Sequence, residues 1–312
     1  MVGVAQLVEP RVVISAVVGS SPIVHPIFRT SRFLALFAGL LLAGGTLAGE
    51  GIPQLFVAGD STASEYKPNP KNQQGWGAVL QPLFDDAKLR VVDVARGGRS
   101  SRTFITEGHW DRMLAEVRAG DFVIVQFGHN DSGALNQEPA GSTRPLRARG
   151  TIPGTGNESE EIDNVITGKH ETVYSFGWYL RKMIADTRAK GATPILLTLT
   201  KTNHWNDGRI PCDAGSYRLW TWQTAMSEKV AFVDLTRIIA DRFQREGPDA
   251  VTAQFIDDTV HTNITGAEAN ARDVVSALRA NKDLSLRAAL SAIGRAVPAD
   301  RGAPKDSVCA KL

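Results

Sequence analysis

"QLFVAGDSTAS" occupies positions 54–64 and joins an apolar run directly to a turn of small and polar residues. Four later runs share its short length and its enrichment in Val, Ile, Leu and Phe. Runs of this kind are typical of parallel strands that are buried on both faces of a sheet. The five predicted strands are residues 54–59, 90–95, 122–128, 193–200 and 230–235.

Helical patterns separate these strands. The alternation predicts fold class α/β, with a single doubly wound parallel sheet and right-handed crossovers. Ligands bind such sheets at the carboxyl ends of the strands. One polar stretch, residues 132–171, shows little apolar periodicity, and a loop of that length is usually functional or disordered. The predicted helices are residues 76–84, 109–119, 174–190, 217–228, 236–245 and 265–280.

A basic and apolar segment precedes the first strand. Arg29 and Arg32 stand before an apolar run over residues 33–43, and small residues follow as far as Ala48. This order is typical of a secretory signal that is cleaved near Ala48. An uncleaved membrane anchor is the alternative, although the run is shorter than the roughly 20 residues that a span needs. We therefore expect a secreted or periplasmic protein.

The charge balance bears on the class of partner. Removal of the predicted leader, residues 1–48, would take away three arginines and one glutamate, which leaves 32 basic and 32 acidic residues. A chain with no net charge argues against nucleic-acid binding, which normally needs a basic stripe. The leader is the only candidate anchor, so we expect no stable membrane attachment after cleavage.

Cys212 and Cys309 are the only cysteines. In an oxidising location they could pair, or they could remain free thiols, because the sequence does not give their distance in space. The histidines at positions 109, 170 and 204 lack the spacing of known metal motifs. We predict no metal site and no cofactor.

Polar groups follow three of the predicted strands. Ser61 ends the first strand, "GGRSS" follows the second, and Asn130 in "GHND" follows the third, while "DDTVH" brings Asp258 and His261 further along. Topology predicts that these groups meet at one edge of the sheet. A serine with an adjacent base and preorganised donors suits acyl transfer. The alternative is that Ser61 and the loop at His261 only cap helices.

Four blocks, "GDST", "GGRSS", "GHND" and "DDTVH", resemble those of the SGNH (GDSL-type) hydrolases. "NQQGWGAVL", "RARGTIPG" and "DDTVHTNITGAEANA" are similar to stretches of the rhamnogalacturonan acetylesterases of carbohydrate esterase family 12. The resemblance implies a flavodoxin-like three-layer sandwich with a central parallel sheet of about five strands. It places an SGNH hydrolase domain at residues 53–281 and a C-terminal extension at residues 282–312.

The resemblance also implies residue roles. Ser61 is the expected nucleophile, His261 the base that takes its proton, and Asp258 the acid that orients the imidazole. The backbone amides of Ser61 and Gly98 and the side chain of Asn130 are expected to form the oxyanion hole. Turnover should then rise as the imidazole loses its proton.

Five further residues are candidates for substrate binding. Arg144, Arg147 and Arg149 lie in the long polar stretch, where they could contact galacturonate carboxylates or simply be solvated. Asn203 and Trp205 follow the fourth strand, where a sugar ring could pack on the indole. Packing in the core is the alternative for the indole.

The expected function is that of an exported serine esterase that removes O-acetyl groups from pectic polysaccharide, most of all rhamnogalacturonan. One alternative is an SGNH esterase that acts on acetylated xylan, small esters or lipids. A different class of alternative is a carbohydrate-binding protein that keeps the fold without turnover.

Overall fold

The computed structural model describes residues 51–212 and 216–312, so the predicted leader lies outside the described residues. Seven strands form two sheets in this part of the chain. The strands are β1 Gln54–Gly59, β2 Arg90–Asp93, β3 Phe122–Gln126, β4 Ser159–Asp163, β5 His170–Tyr174, β6 Thr193–Leu197 and β7 Ala231–Val233. The central sheet has the order β2–β1–β3–β6–β7, and all of its pairings are parallel.

Helices connect the strands. The α-helices are α1 Ser101–Thr106, α2 His109–Glu116, α3 Phe176–Ala189, α4 Ser216–Glu228, α5 Leu235–Glu246, α6 Pro248–Thr252, α7 Ile264–Ala280 and α8 Ala292–Ala296. Short 3-10 helices cover Gly77–Val79, Gln81–Leu83 and Ser285–Ala289.

The central sheet lies between two apolar cores. Alternate residues of β1 point to opposite faces, so Leu55 and Val57 join one core, while Phe56 and Ala58 join the other. Helices α5 and α7 cover the first face, and helices α1, α2 and α3 cover the second. Each fully buried Leu or Phe side chain contributes about 1.5–3 kcal/mol. The predicted α/β class, with a parallel five-stranded sheet between helical layers, is confirmed.

The N-terminal caps of α1 and α7 hold the loops that precede these helices. The Ser100 hydroxyl accepts from the Thr103 amide at 3.1 Å, and the Thr103 hydroxyl accepts from the Ser100 amide at 2.9 Å. This reciprocal capping box begins α1. At α7 the Asn263 side chain accepts from the Gly266 amide at 3.2 Å. Both caps therefore hold a polar loop at the carboxyl edge of the sheet.

The structure corrects two helix predictions. Residues 76–84 form two short 3-10 helices in place of one α-helix, and Pro82, the second residue of the second one, has no amide proton to donate. The helix predicted from residue 174 begins only after Ser175, whose side chain accepts from the Trp178 amide at 3.1 Å, because Tyr174 belongs to β5.

The long polar stretch contains an antiparallel hairpin that the sequence did not predict. Strands β4 and β5 pair from Ser159 opposite Tyr174 to Asp163 opposite His170. In β4 only Ile162 is buried, so the strand lacks the apolar alternation by which strands are recognised.

The C-terminal extension packs against the domain. Leu284, Leu286 and Leu290 are buried in the core on the α5–α7 face. A disulfide joins Cys212 to Cys309, 97 residues later in the sequence, with their Cα atoms 4.5 Å apart. Over the described residues, no helix has both the length and the apolar character that a membrane span requires.

Candidate active site

Ser61 lies in a turn directly after β1. The carbonyl of Asp60 accepts from the Ser64 amide at 3.2 Å, which closes the turn. The Asp60 carboxylate is fully buried, and it accepts from the Thr62 amide at 2.9 Å and from the Thr62 hydroxyl at 2.8 Å. Asp60 therefore orders the backbone at Ser61 and does not itself face the site.

A chain of hydrogen bonds links Ser61 to His261 and Asp258. Nε2 of His261 lies 2.9 Å from the Ser61 hydroxyl oxygen, and Nδ1 lies 2.6 Å from an oxygen of Asp258. With a carboxylate at Nδ1, the imidazole carries its proton there, and Nε2 is free to accept the serine proton. This arrangement is the one that activates a serine for nucleophilic attack.

Asp258 is held as a carboxylate by its own loop. Its second oxygen accepts from the backbone amides of Val260 at 2.8 Å and His261 at 2.7 Å. Partial burial acts to raise the pKa of Asp258, but the hydrogen bonds from the His261 side chain and from these amides lower it overall. The acid therefore stays ionised beside the imidazole.

The loop that carries Asp258 and His261 is tied to two neighbouring segments. Thr262 and Gln74 exchange two hydrogen bonds, both 2.8 Å long. The amide of Asn203 donates to the carbonyl of Thr259 at 2.8 Å. These bonds fix the loop against the segments that follow β1 and β6.

Gly98 and Asn130 lie on the other side of Ser61. Gly98 has φ +78°, a backbone conformation that favours glycine. Asn130 is buried, and one N–H of its amide donates to the Arg99 carbonyl at 2.8 Å, which leaves the second N–H for a ligand. Within the described residues the backbone amides of Ser61 and Gly98 donate no hydrogen bond, so they too are available to an oxyanion.

An open cavity with a volume of about 680 Å³ joins these groups. Ser61, Gly98, Asn130 and His261 all line it. The structure thus brings the predicted nucleophile, base and oxyanion donors to one cavity, with Asp258 bonded to the base. From this geometry we propose that these residues have the catalytic roles that the resemblance implies.

The buried Asp131 and the half-buried His129 support the turn at Asn130. The carboxylate of Asp131 accepts from the Ser101 amide at 3.0 Å, which ties the start of α1 to the end of β3. Burial raises the pKa of Asp131 to about 7. Nε2 of His129 lies 3.0 Å from the Thr200 hydroxyl, and burial lowers the pKa of His129, which favours a neutral imidazole.

The three predicted arginines reach the same cavity. Arg144, Arg147 and Arg149 line it together with one acid, Glu138. The cavity therefore presents an excess of positive charge next to Ser61, as a negatively charged substrate would require.

Asn203 and Trp205 are not among the residues that line the cavity. The Trp205 indole donates to Asn203 at 2.8 Å, and the Asn203 amide donates to the Thr252 hydroxyl at 3.1 Å. Trp205 packs against the apolar core on the α5–α7 face. The structure does not place this pair in the cavity at Ser61; both side chains are half-buried, and they bond to each other and to Thr252. A contact with a longer substrate stays a prediction.

Tyr66 lines the cavity but was not identified from the sequence. Its hydroxyl donates to the Ser61 carbonyl at 3.0 Å. Burial, followed by the nearby Asp60 carboxylate, raises the pKa of Tyr66 to about 12. The only available signal was an aromatic residue in the turn that follows Ser61. Its approach to the serine depends on how that loop folds back.

Comparisons with known proteins agree with this geometry. A family model described as the GDSL-like Lipase/Acylhydrolase family matches residues 57–269. The chain is 29% identical over 213 residues to a rhamnogalacturonan acetylesterase of Emericella nidulans, covering 68% of this chain and 79% of that protein. It is 30% identical over 230 residues to the probable rhamnogalacturonan acetylesterase YesY of Bacillus subtilis, covering 72% and 92%. The resemblance inferred from the sequence motifs is confirmed.

A solved structure shares the fold. The crystal structure of protein YxiM from Bacillus subtilis superposes with a TM-score of 0.57 at 26% sequence identity. The match covers 72% of this chain and 55% of that one, so this chain spans about half the length of that protein.

Proposed function

Because the chain belongs to the GDSL-like Lipase/Acylhydrolase family and is a carboxylic ester hydrolase, we propose that it removes O-acetyl groups from rhamnogalacturonan. The observation that carries the chemistry is the chain of hydrogen bonds from Asp258 through His261 to Ser61. That chain ends at a cavity that Gly98 and Asn130 also line.

The first half-reaction forms an acetyl-enzyme. The Ser61 hydroxyl oxygen attacks the acetyl carbonyl carbon, and its proton passes to Nε2 of His261. The backbone amides of Ser61 and Gly98, with the Asn130 side chain, donate to the oxyanion of the tetrahedral intermediate. His261 then returns the proton to the sugar oxygen, which leaves as a free hydroxyl.

The second half-reaction releases acetate. His261 takes a proton from a water molecule, whose oxygen attacks the acetyl-enzyme carbonyl. The same donors stabilise the second tetrahedral intermediate, and the proton on Nε2 returns to the Ser61 oxygen as acetate departs. Asp258 stabilises the imidazolium that forms in each half-reaction.

Two observations support a pectic substrate. The relatives from Emericella nidulans and Bacillus subtilis bear the names rhamnogalacturonan acetylesterase and probable rhamnogalacturonan acetylesterase. The cavity beside Ser61 is lined by Arg144, Arg147 and Arg149. Arginine presents a planar fork that matches a carboxylate, and galacturonate supplies carboxylates along a pectic backbone.

We further propose that the protein acts in the periplasm or outside the cell. The disulfide between Cys212 and Cys309 supports this location, because disulfides persist in oxidising compartments. The basic and apolar segment that ends near Ala48 also supports it, through the sequence alone.

Acetate release tests the proposal. Wild-type protein and a Ser61→Ala variant are compared on acetylated rhamnogalacturonan, acetylated xylan and p-nitrophenyl acetate. We expect release that prefers the pectic polymer and is lost in Ser61→Ala. Activity on p-nitrophenyl acetate alone would indicate a serine esterase that acts on another class of substrate. Oligosaccharide binding with no hydrolysis would indicate a binding protein, and undiminished activity in Ser61→Ala would overturn the mechanism.

A further inference from the structure

The three arginines of the cavity differ in what their side chains contact. Arg144 and Arg147 are exposed, and neither guanidinium has a hydrogen-bond or ion-pair partner within the described residues. Arg149 is half-buried, and its Nη1 donates to the carbonyl of Gly98 at 3.0 Å. Nη1 of Arg147 also lies beside Gly98, 3.3 Å from where a Cβ on that glycine would be, but only Arg149 is hydrogen-bonded to the turn that carries this oxyanion donor.

The aliphatic part of the Arg149 side chain is confined as well as its guanidinium. A methyl group placed on Gly133 would lie 3.2 Å from Cγ of Arg149, so the side chain passes tightly over that glycine. A charged donor to a carbonyl forms a stronger hydrogen bond than a neutral one. The Arg149 side chain thus spans from the loop after β3, at Gly133, to the turn after β2, at Gly98.

The backbone on the C-terminal side of Arg149 is fixed to the loop after β3. The Gly150 amide donates to the Ala134 carbonyl at 2.8 Å, and the Thr151 amide donates to the Asp131 carbonyl at 3.0 Å. The buried Arg102 side chain donates to the Gly150 carbonyl at 2.9 Å. Arg149 therefore projects from a rigid base, next in the chain to residues that hold the Asn130–Asp131 turn.

We propose that Arg149 is a positioning residue of the oxyanion hole, which fixes the Gly98 turn relative to Asn130, whereas Arg144 and Arg147 contact the carboxylates of the substrate. This assignment of different roles to the three arginines rests on the proposed esterase mechanism. Arg149 supports the stabilisation of every tetrahedral intermediate, whatever ester is bound. Arg147 acts only on substrates that carry a negative charge.

Kinetics on a neutral ester and an acidic ester separate the two roles. The variants are Arg149→Gln, Arg149→Lys and Arg147→Gln, with Arg287→Gln as the control outside the cavity. All four are assayed on p-nitrophenyl acetate and on acetylated oligogalacturonides. Removal of a true oxyanion donor costs about 10²–10³ in kcat, so loss of its support should cost about tenfold or more. We expect Arg149→Gln to lower kcat on p-nitrophenyl acetate by that factor while KM changes less than about twofold.

The control and the conservative variant sharpen the test. Arg287→Gln, at an exposed arginine that does not line the cavity, should leave p-nitrophenyl acetate turnover unchanged. Arg147→Gln should raise KM for the acidic oligosaccharide. Arg149→Lys keeps one donor for the Gly98 carbonyl and should recover part of the lost kcat. The rate at which a neutral fluorophosphonate modifies Ser61 should fall in Arg149→Gln and not in Arg287→Gln, because that reaction also uses the oxyanion hole.

The proposal is overturned if Arg149→Gln keeps its kcat on p-nitrophenyl acetate and only raises KM for the acidic oligosaccharide, as Arg147→Gln does. If Arg149→Gln lowers the thermal midpoint, Arg149→Lys decides, since it must then recover kcat on the neutral ester. A wild-type preference for non-pectic esters would contradict the proposed substrate, yet the comparison on p-nitrophenyl acetate would still test Arg149.

Discussion

Nδ1 of His261 lies 2.6 Å from an oxygen of Asp258, and the Asp258 side chain is 43% exposed. The acid behind the imidazole is therefore solvated on one side, and its position depends on the backbone amides of Val260 and His261. A carboxylate held in this way accepts from Nδ1 and cannot donate to it. The neutral amide of asparagine could donate and so favour the wrong tautomer of His261.

We expect Asp258→Asn to lower kcat on p-nitrophenyl acetate by about 10⁴-fold, because the imidazole would carry its proton at Nε2 and could not accept one from Ser61. Asp257→Asn is the matched control, since Asp257 is exposed and adjacent in the chain. Steady-state kinetics on the two variants decide the assignment. A large loss in Asp257→Asn with normal turnover in Asp258→Asn would move the orienting acid to Asp257.

Asn130→Ala removes the only side-chain donor predicted for the oxyanion. We expect kcat to fall by about 10²–10³-fold with little change in KM, because the lost bond forms mainly in the transition state. Ser132→Ala, which alters another residue of the same cavity wall, should leave kcat close to that of the wild type. Equal kcat values for Asn130→Ala and the wild type would contradict the oxyanion assignment.

The buried Asp131 should make stability depend on pH. Its folded-state pKa of about 7 lies above the roughly 3.9 of an unfolded aspartate. Between those values the folded protein holds a proton that the unfolded chain has released. The free energy of unfolding therefore falls as pH rises through this window, by up to about 1.4 kcal/mol per pH unit, and it levels off above the folded pKa.

Asp131→Asn tests this, because it should remove the contribution of Asp131 to the slope of the free energy of unfolding against pH. The asparagine oxygen can still accept from the Ser101 amide, but the side chain cannot ionise. Urea unfolding at about pH 5 and about pH 7 should show a smaller loss of stability in the variant than in the wild type. Burial also raises the pKa of Asp93 to about 7. Asp93 therefore adds the same pH dependence to the wild type and to Asp131→Asn. Parallel slopes would contradict the assignment to Asp131.

The disulfide should stabilise the domain through its long loop. Cys212 and Cys309 are 97 residues apart in sequence, so the bond removes much of the conformational freedom of the unfolded chain. We expect Cys309→Ser to lower the free energy of unfolding by about 2–5 kcal/mol in denaturant titrations. The double variant with Cys212→Ser should match the single one. An unchanged midpoint in both variants would contradict this contribution.

The position of the site could be predicted because its residues stand in short motifs at strand ends. Ser61, Gly98 and Asn130 follow β1, β2 and β3, and parallel pairing brings the carboxyl ends of those strands together. The motif at His261 needed the family resemblance, because it follows no predicted strand directly. In each case the local sequence pattern and the sheet topology point to the same place.

The remaining contacts depend on tertiary packing that leaves no local pattern. Trp205 follows β6, which suggested a place at the ligand edge, but the structure packs its ring against the apolar core. The approach of Tyr66 to Ser61 and the bond from Arg149 to Gly98 both arise from loops that fold back on the sheet. Residue types and spacing carry no record of such loop paths.

Ser61 and His261 are 200 residues apart in the chain, although their side chains are in hydrogen-bond contact. A protein is synthesised from its amino end, at about 5–20 residues per second. The nucleophile is therefore made roughly 10–40 seconds before the base. Until then, and in any fragment that stops short of Asp258, the nascent chain contains a serine with no partner to take its proton. Esterase activity thus reports that translation has passed position 261.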